Sequence, residues 1–258
     1  MPRVSLVFVF VFASLAGVSL TAYKIHSIGL HKRYRIFFAY ILFRIPYTMA
    51  GLVLNTSSNI YLYFWVLTIP ITWAFYVLIV RELCGLVLER YAGLKTLGRW
   101  SMYLATFVSL TLSVLSLVPR LSQSTPQRSK ILFYIYATDR GVTLSLAIFL
   151  VTMIFLLSRY PVRLPRNVVV YVVVYTIFFL SSSMTMLFRS VVGLRLYSSI
   201  DTALMAIASA CGFAWFWLLS EKGEEDMVSL PSMDSRHEEH LLSQLDSLNQ
   251  TLLKAAKS

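Results

Sequence analysis

The sequence predicts an all-α protein, namely a polytopic membrane helical bundle of seven transmembrane helices followed by a short cytoplasmic amphipathic helix. Three observations support this. Of the 258 residues, 57% are hydrophobic, and the mean hydropathy of +0.70 lies outside the usual range of soluble domains. The chain contains seven apolar stretches of about 20 residues or more, the length that a helix needs to cross the hydrocarbon core of a bilayer. Most charged residues lie between these stretches or after the last one.

The apolar stretches place the predicted helices along the chain, and we expect residues 1–220 to form the transmembrane domain. The first stretch follows Arg3 and has a signal-peptide-like cleavage site near Ala16. Its apolar run is longer than a signal-peptide core, and the cations after it would hold that end in the cytoplasm, so we interpret it as the first transmembrane helix. The seven stretches read 4–23, 35–54, 59–80, 100–119, 131–157, 167–188 and 199–219.

The charges between the helices predict the orientation of the bundle. Three alternate loops, 24–35, 81–99 and 159–166, together with Lys222 carry twelve Lys and Arg residues, whereas the other side carries six. The positive-inside rule places the cation-rich side in the cytoplasm, so we predict the N-terminus outside and the C-terminus inside. These cations lie in short loops, where they bias topology and meet lipid phosphates. The lipid bilayer is therefore the expected partner, and nucleic acid is not.

Prolines and small polar residues distinguish individual helices. Pro46 and Pro70 are predicted to bend the second and third helices, because each removes a backbone hydrogen bond. Hydroxyl groups in the fourth and sixth helices and small residues in the seventh fit either close helix packing or the polar lining of a ligand cavity. Both interpretations stay open at this point. The residues concerned are Thr106, Ser109, Ser113, Ser116, Ser181, Ser182, Ser183, Thr185, Ala206, Ala208, Ser209, Ala210 and Gly212.

The acidic residues gather after the last apolar stretch, where 8 of the 12 Asp and Glu residues lie. Residues 221–234 are interpreted as an acidic linker broken by glycine and proline. A capping box of Ser235 and Glu238 then predicts a cytoplasmic helix over 235–258. Because so short a helix is marginal alone, we expect it to bind a cytoplasmic protein, the bundle or a second copy of itself. Its predicted partner-binding face consists of Leu241, Leu245, Leu248 and Leu252.

Charged residues within or beside the apolar stretches are the candidates for a ligand site, because ionisable groups are costly in a membrane. Arg44 lies about 13 Å along its helix from Arg35, too deep to reach the cytoplasmic headgroups, and is expected to face the interior. Four others, on the fifth to seventh helices, fall near one level at the outer boundary of the core. These charges predict either structural salt bridges or a site for a polar or anionic ligand. The predicted ligand-binding residues are Arg44, Asp139, Arg140, Arg189 and Asp201.

The sequence lacks the groups that intramembrane catalysis or metal binding needs. All four histidines lie outside the apolar stretches, which excludes a histidine-cluster metal site among them. His237 and His240 are three residues apart rather than the four of zinc proteases, and no membrane-buried histidine or lysine is present to activate a serine. We therefore expect no enzymatic activity, no cofactor and no metal.

Four segments carry a family resemblance: Arg81-Glu82-Leu83, Leu86-Val87-Leu88-Glu89-Arg90-Tyr91, Leu97-Gly98-Arg99-Trp100 and Leu245-Asp246-Ser247-Leu248-Asn249-Gln250-Thr251-Leu252-Leu253. They resemble a group of uncharacterised bacterial seven-helix integral membrane proteins. The resemblance implies a multi-pass protein of the plasma (bacterial inner) membrane and brings no assigned activity. More loosely, the chain is similar to the seven-helix sensor regions that precede bacterial signalling enzymes, although here a short helix takes the place of an output domain.

These observations favour a non-enzymatic integral membrane sensor or signalling adaptor. In this hypothesis, a polar site at the outer rim or inside the bundle biases the helix positions, and the tail helix reports to a cytoplasmic partner. A small-molecule transporter is the first alternative, for which Pro46 and Pro70 offer helix breaks. A structural or assembly subunit of a membrane complex is the second. The sequence does not identify the ligand.

Overall fold

The structure, a computed structural model, describes residues 2–54, 58–88, 100, 103–104, 107–108, 111, 127–159, 163–192, 197–229 and 247. Within these residues the long helices are α1 (Pro2–Ser27), α2 (Arg35–Val53), α3 (Asn59–Val87), α4 (Gln127–Arg159), α5 (Arg166–Val192) and α6 (Tyr197–Leu218). Two 3-10 turns lie at Leu30–Lys32 and Lys222–Glu224. Two short antiparallel strands, β1 (Arg163–Pro165) and β2 (Met227–Ser229), pair with each other.

Five helical segments are long and apolar enough to cross a membrane: Phe8–Ser27, Arg35–Val53, Ile60–Val87, Thr138–Phe155 and Arg166–Thr185. Helix α6 adds a shorter apolar segment, Thr202–Leu218. The chain is therefore a nearly all-helical, multi-pass membrane protein, which confirms that part of the prediction. The count of seven and the orientation of the termini stay predictions, and most of the predicted helix 100–119 lies outside the described residues.

Local sequence explains where several helices begin and end. The turn between α1 and α2 contains Gly29 at φ +73°, a backbone conformation that a side chain disfavours. Ser58 caps α3 by accepting a hydrogen bond from the Ile60 amide at 3.2 Å. Pro46 and Pro70 lie inside α2 and α3, as predicted.

The helices pack in chain order, each described helix against the next, and α6 returns to pack against α1. Helix α5 also contacts α3. Among the candidate membrane spans of the described residues, the one in α5 is the most buried. An aromatic cluster joins α2, α5 and α6 at the centre. The ring centroids of Phe37 and Tyr171 lie 4.6 Å apart, and those of Tyr175 and Trp215 lie 4.7 Å apart. Each such pair contributes about 0.5–1.5 kcal/mol beyond its buried area.

Helices α1 and α6 approach closely at two glycines. A β-carbon on Gly17 would lie 3.4 Å from the carbonyl carbon of Gly212. The Thr21 hydroxyl donates to the Gly212 carbonyl at 3.0 Å, and the Ser209 hydroxyl donates to the Phe10 carbonyl at 3.0 Å. Of the two interpretations of the small residues in the last apolar stretch, Ser209 and Gly212 therefore support close packing.

Candidate ligand cavity within the bundle

A cavity of about 410 Å³ lies among α2, α3, α4, α5 and α6. Small-molecule sites typically combine mainly apolar and aromatic walls with a few polar groups, and this cavity has that composition. Its aromatic lining residues are Tyr47, Tyr61, Trp65, Trp73, Tyr76 and Phe178. Its polar lining residues besides the tyrosines are Arg44, Thr72, Asp139 and Ser182.

Arg44 supplies the positive charge of the cavity. Its guanidinium carbon lies 5.5 Å from the ring centroid of Tyr47, a cation–π contact. Within the described part of the chain, its side chain forms no hydrogen bond and no ion pair. A guanidinium has five N–H donors, and donors left unpaired in an apolar setting are costly. The cavity therefore presents a cation whose donors are available to a ligand.

Asp139 supplies the negative charge. Its Oδ1 accepts a hydrogen bond of 2.8 Å from the indole Nε1 of Trp73, which connects α4 with α3. The hydroxyl of Thr143, one turn later on α4, donates to the backbone carbonyl of Asp139 at 2.8 Å. The carboxylate is therefore held in a defined position at the cavity wall.

Glu82 sets the position of α2 against α3. Its carboxylate accepts hydrogen bonds from the amides of Ile36 and Phe37, at 3.0 and 3.2 Å, and from the Tyr171 hydroxyl at 3.4 Å. The first amides of a helix lack partners within the helix and form the positive end of its dipole. A carboxylate at this point satisfies two amides and complements the dipole.

This contact also defines the depth of the two cavity charges. Arg44 lies nine residues, or about 13 Å, along α2 from its first residue, and Trp73 lies nine residues from Glu82 along α3. Because Asp139 bonds to Trp73, its carboxylate lies near the level of Arg44. The segment of α4 that is long and apolar enough to cross a membrane is Thr138–Phe155, and Asp139 lies in its first turn.

The structure thus brings two of the predicted ligand-binding residues, Arg44 and Asp139, into one cavity. Arg140 follows Asp139 on α4 but is not among the cavity-lining residues. The side chains of Arg189 and Asp201 lie outside the described residues, as do Leu241, Leu245, Leu248 and Leu252. The predicted tail helix, 235–258, is outside them too, apart from Ser247.

Sequence reasoning missed the aromatic wall that α3 contributes. Its members recur every three or four residues, which places them on one helical face. That spacing indicates a shared helical face. Because aromatic residues are common in membrane helices, it does not by itself distinguish a cavity wall from ordinary packing. The residues on this face are Tyr61, Trp65, Ile69, Thr72 and Tyr76, with Trp73 beside them.

A second polar cluster lies at the end of the bundle where α1, α3, α4 and α6 end. We name it the Glu224 clasp, comprising Arg33, Tyr34, Asn167 and Glu224. The carboxylate of Glu224 accepts hydrogen bonds from the Tyr34 hydroxyl at 2.7 Å and from Nδ2 of Asn167 at 2.9 Å. Its other oxygen lies 3.1 Å from Nη1 of Arg33. Burial and the nearby carboxylate of Glu224 raise the pKa of Tyr34 above its ordinary value, so Tyr34 stays a neutral donor.

The clasp holds the beginning of the acidic segment onto the bundle. The buried Asn167 side chain accepts from the Ser220 amide at 3.1 Å and donates to the Ser220 carbonyl at 2.7 Å. The Arg166 amide donates to the Asp226 carbonyl at 2.9 Å, and β1 then pairs with β2. The sequence did not indicate this pairing, which extends the folded part of the chain to Ser229.

Comparison with known proteins finds no family model, no curated protein and no solved structure that matches this chain. Its function must therefore be inferred from its own geometry.

Proposed function

We propose that this protein is a non-enzymatic sensor or signalling adaptor of the bacterial inner membrane, which binds a small polar ligand in the cavity and reports through its cytoplasmic tail. One observation carries the proposal. Helix α2 bears Arg44 in the cavity and begins directly after Tyr34, a member of the Glu224 clasp. A single helix therefore connects the ligand cavity with the start of the tail.

The same helix gives a route for coupling. A ligand held by Arg44 and by groups on α3 or α4 would favour one position of α2 relative to those helices, provided that it binds that position more tightly. The start of α2 is tied to Glu82 and, through Tyr34, to Glu224. A shift of α2 would therefore strain or release the clasp. Couplings between sites are typically about 1–3 kcal/mol, which is enough to change partner affinity severalfold.

A pull-down with a tail truncation tests the adaptor function. The full-length chain and a chain ending at Ser229 are expressed with the same tag and purified in mild detergent, and bound proteins are identified by mass spectrometry. Ending at Ser229 keeps the β1–β2 pair and the clasp, so size-exclusion chromatography should show equal folding. We expect a cytoplasmic protein that the full-length chain retains and the truncated chain loses. Identical bound proteins from both chains would contradict the adaptor function.

A transporter is the second candidate, and one observation favours it. Helices α2 and α3, each with a proline in its interior, both line the cavity, and carriers often bind substrate beside interrupted helices. Uptake into proteoliposomes separates the two functions. A transporter would accumulate a labelled ligand with saturable kinetics, and deletion of the tail after Ser229 would leave this flux intact. An adaptor would bind the ligand without accumulating it.

A further inference from the structure

We infer that the cavity binds a small monocarboxylate, an organic molecule that carries one carboxylate group on an apolar body. The inference rests on the proposed function, because it names the ligand class of the same cavity. It depends on three features of the described residues: a half-buried arginine whose donors have no acceptor, tyrosine hydroxyls beside it, and apolar and aromatic walls.

Arg44 is suited to the carboxylate of the ligand. Within the residues that the structure describes, its N–H donors have no hydrogen-bond acceptor and its charge has no ion pair. An arginine left in this state among apolar groups costs free energy, which a bound carboxylate would offset. The planar guanidinium presents parallel N–H donors that match the two oxygens of a carboxylate, and such bidentate bonds are stronger than neutral ones.

Tyrosine hydroxyls add neutral donors around Arg44. Tyr47 and Tyr76 line the same cavity, and a phenolic hydroxyl can donate to a ligand oxygen. The hydroxyl of Tyr175 is buried and has no hydrogen-bond partner in the described part of the chain. Its ring centroid lies 6.4 Å from that of Phe178, which lines the cavity. A ligand carboxylate at Arg44 would therefore meet uncharged donors as well as the cation.

Asp139 limits where the ligand carboxylate can lie. It accepts the hydrogen bond from Trp73 and has a further interaction besides, so no ligand contact is assigned to it. Because like charges repel, the ligand carboxylate is expected on the α2 side of the cavity, at Arg44, rather than against α4. The apolar body would then lie along the walls of α3 and α5, where Trp65, Ile69 and Phe178 offer apolar and aromatic surface.

A single unpartnered cation favours a ligand with a single negative charge. A phosphate monoester carries about −1.5 to −2 charges at pH 7, so it would bring more charge into the apolar setting than Arg44 can balance. A halide would leave most of the cavity unfilled, since its volume of about 410 Å³ is within the range of about 300–1,000 Å³ that is typical of small-molecule sites.

Four probes with one phenyl ring separate the charge classes. They are 3-phenylpropanoate, its neutral amide 3-phenylpropanamide, the cation 3-phenylpropylamine and the dianion 2-phenylethyl phosphate. Binding to the full-length protein in lipid nanodiscs is measured by calorimetry and by tryptophan fluorescence, for which Trp65 and Trp73 are reporters in the cavity wall, with empty nanodiscs as the blank. We expect the carboxylate to bind about tenfold or more tightly than each of the other three.

A second pair of probes asks where the carboxylate comes from. Octanoate stands for an acid released from lipids, and it is measured beside its own amide. Tighter binding of octanoate than of 3-phenylpropanoate would support a carboxylate that enters from the bilayer. The reverse order would support an aromatic carboxylate that enters from water. Either order, with each acid tighter than its amide, supports the ligand class.

Two variants assign the carboxylate contact to Arg44. Arg44→Gln should weaken carboxylate binding by about tenfold or more and leave amide binding unchanged, because only the charged ligand uses the guanidinium. Arg44→Lys keeps the charge but not the fork and should weaken carboxylate binding less. The matched control is Arg35→Gln, which removes an exposed cation from the same helix and should leave the binding of all probes unchanged.

The outcomes are distinguishable. An amide or amine that binds as tightly as the carboxylate would overturn the assignment, as would tighter binding of the phosphate or failure of both carboxylates to bind the wild-type chain. None of these results depends on a variant that folds. If the tail captures a partner but no carboxylate binds, only the ligand class is wrong. If a carboxylate binds but the Ser229 truncation retains every partner, the adaptor function is wrong and the ligand class stands.

Discussion

The indole nitrogen of Trp73, at the middle of α3, donates a hydrogen bond of 2.8 Å to the carboxylate of Asp139 on α4. This bond joins two helices at the wall of the cavity. The bond orients the carboxylate of Asp139 toward α3.

Replacing Trp73 by Phe should destabilise the bundle, because Asp139 would lose a part-buried hydrogen-bond donor and the ring would lose volume. A hydrogen bond to a charged group contributes about 1.5–3 kcal/mol to the free energy of unfolding. For a chain of this size, each kcal/mol lowers the melting temperature by about 2–4 °C. Thermal unfolding in detergent measures the shift. The control is Trp217→Phe, which changes a largely exposed tryptophan of α6. Equal melting temperatures for the two variants would contradict a structural role of the Trp73–Asp139 bond.

Replacing Glu82 by Gln should loosen the start of α2. Glutamine keeps one acceptor oxygen but loses the charge that complements the helix dipole, a change worth about 1–2 kcal/mol. Opening of the first turn would then be about 5–30 times more frequent. Hydrogen–deuterium exchange at the amides of Ile36 and Phe37 should accelerate by that factor. Glu221→Gln, which alters an exposed acid outside the helices, should leave their exchange unchanged. Unchanged exchange in Glu82→Gln would mean that the amides do not depend on the carboxylate's charge.

The helices were predictable from the sequence because their cause is local. An apolar run of sufficient length must satisfy its backbone groups within itself in a membrane, so helix is the expected result. The six long helices of the described residues coincide with predicted stretches, and α3 continues seven residues beyond the predicted end at residue 80. Arg44 was identified for a similar reason, since its depth follows from its distance along one helix.

The contacts that build the cavity and the clasp were not predictable in this way. Glu82 bonds to Ile36 across 46 residues, Trp73 to Asp139 across 66, and Asn167 to Glu224 across 57. Which helix faces meet depends on the packing of the whole bundle, and periodicity within one segment does not contain that information.

The close contact between α1 and α6 limits the size of the side chain that position 17 can accept. Alanine should be tolerated, since its β-carbon would lie 3.4 Å from Gly212, whereas leucine would force the helices apart. Overpacking of this kind typically costs about 1–3 kcal/mol. Gly51→Leu in α2 is the matched control, because no atom lies within 4 Å of its added β-carbon. Melting temperatures of the three variants give the comparison. A Gly17→Leu protein as stable as Gly51→Leu would show that the close approach is not required.

The last prediction concerns Gly223, which lies inside the Glu224 clasp. A β-carbon at this position would clash with Oδ1 of the buried Asn167, so the turn or the Asn167 side chain would have to shift. Gly223→Ala should therefore displace Glu224 and expose the backbone at Lys222 to trypsin. Tyr34→Phe removes one of several bonds to Glu224 and should have a smaller effect, lowering the free energy of clasp opening by about 0.5–1.5 kcal/mol. Trypsin cleavage after Lys222, followed by mass spectrometry, measures the opening, with the exposed Glu225→Ala as control. If Gly223→Ala is cut no faster than Glu225→Ala, the clasp does not hold the tail. If Gly223→Ala is cut faster, the contact between Tyr34 and Glu224 is broken in this variant. Its capture of a tail partner should then no longer depend on a ligand in the cavity, because α2 acts on the tail through that contact.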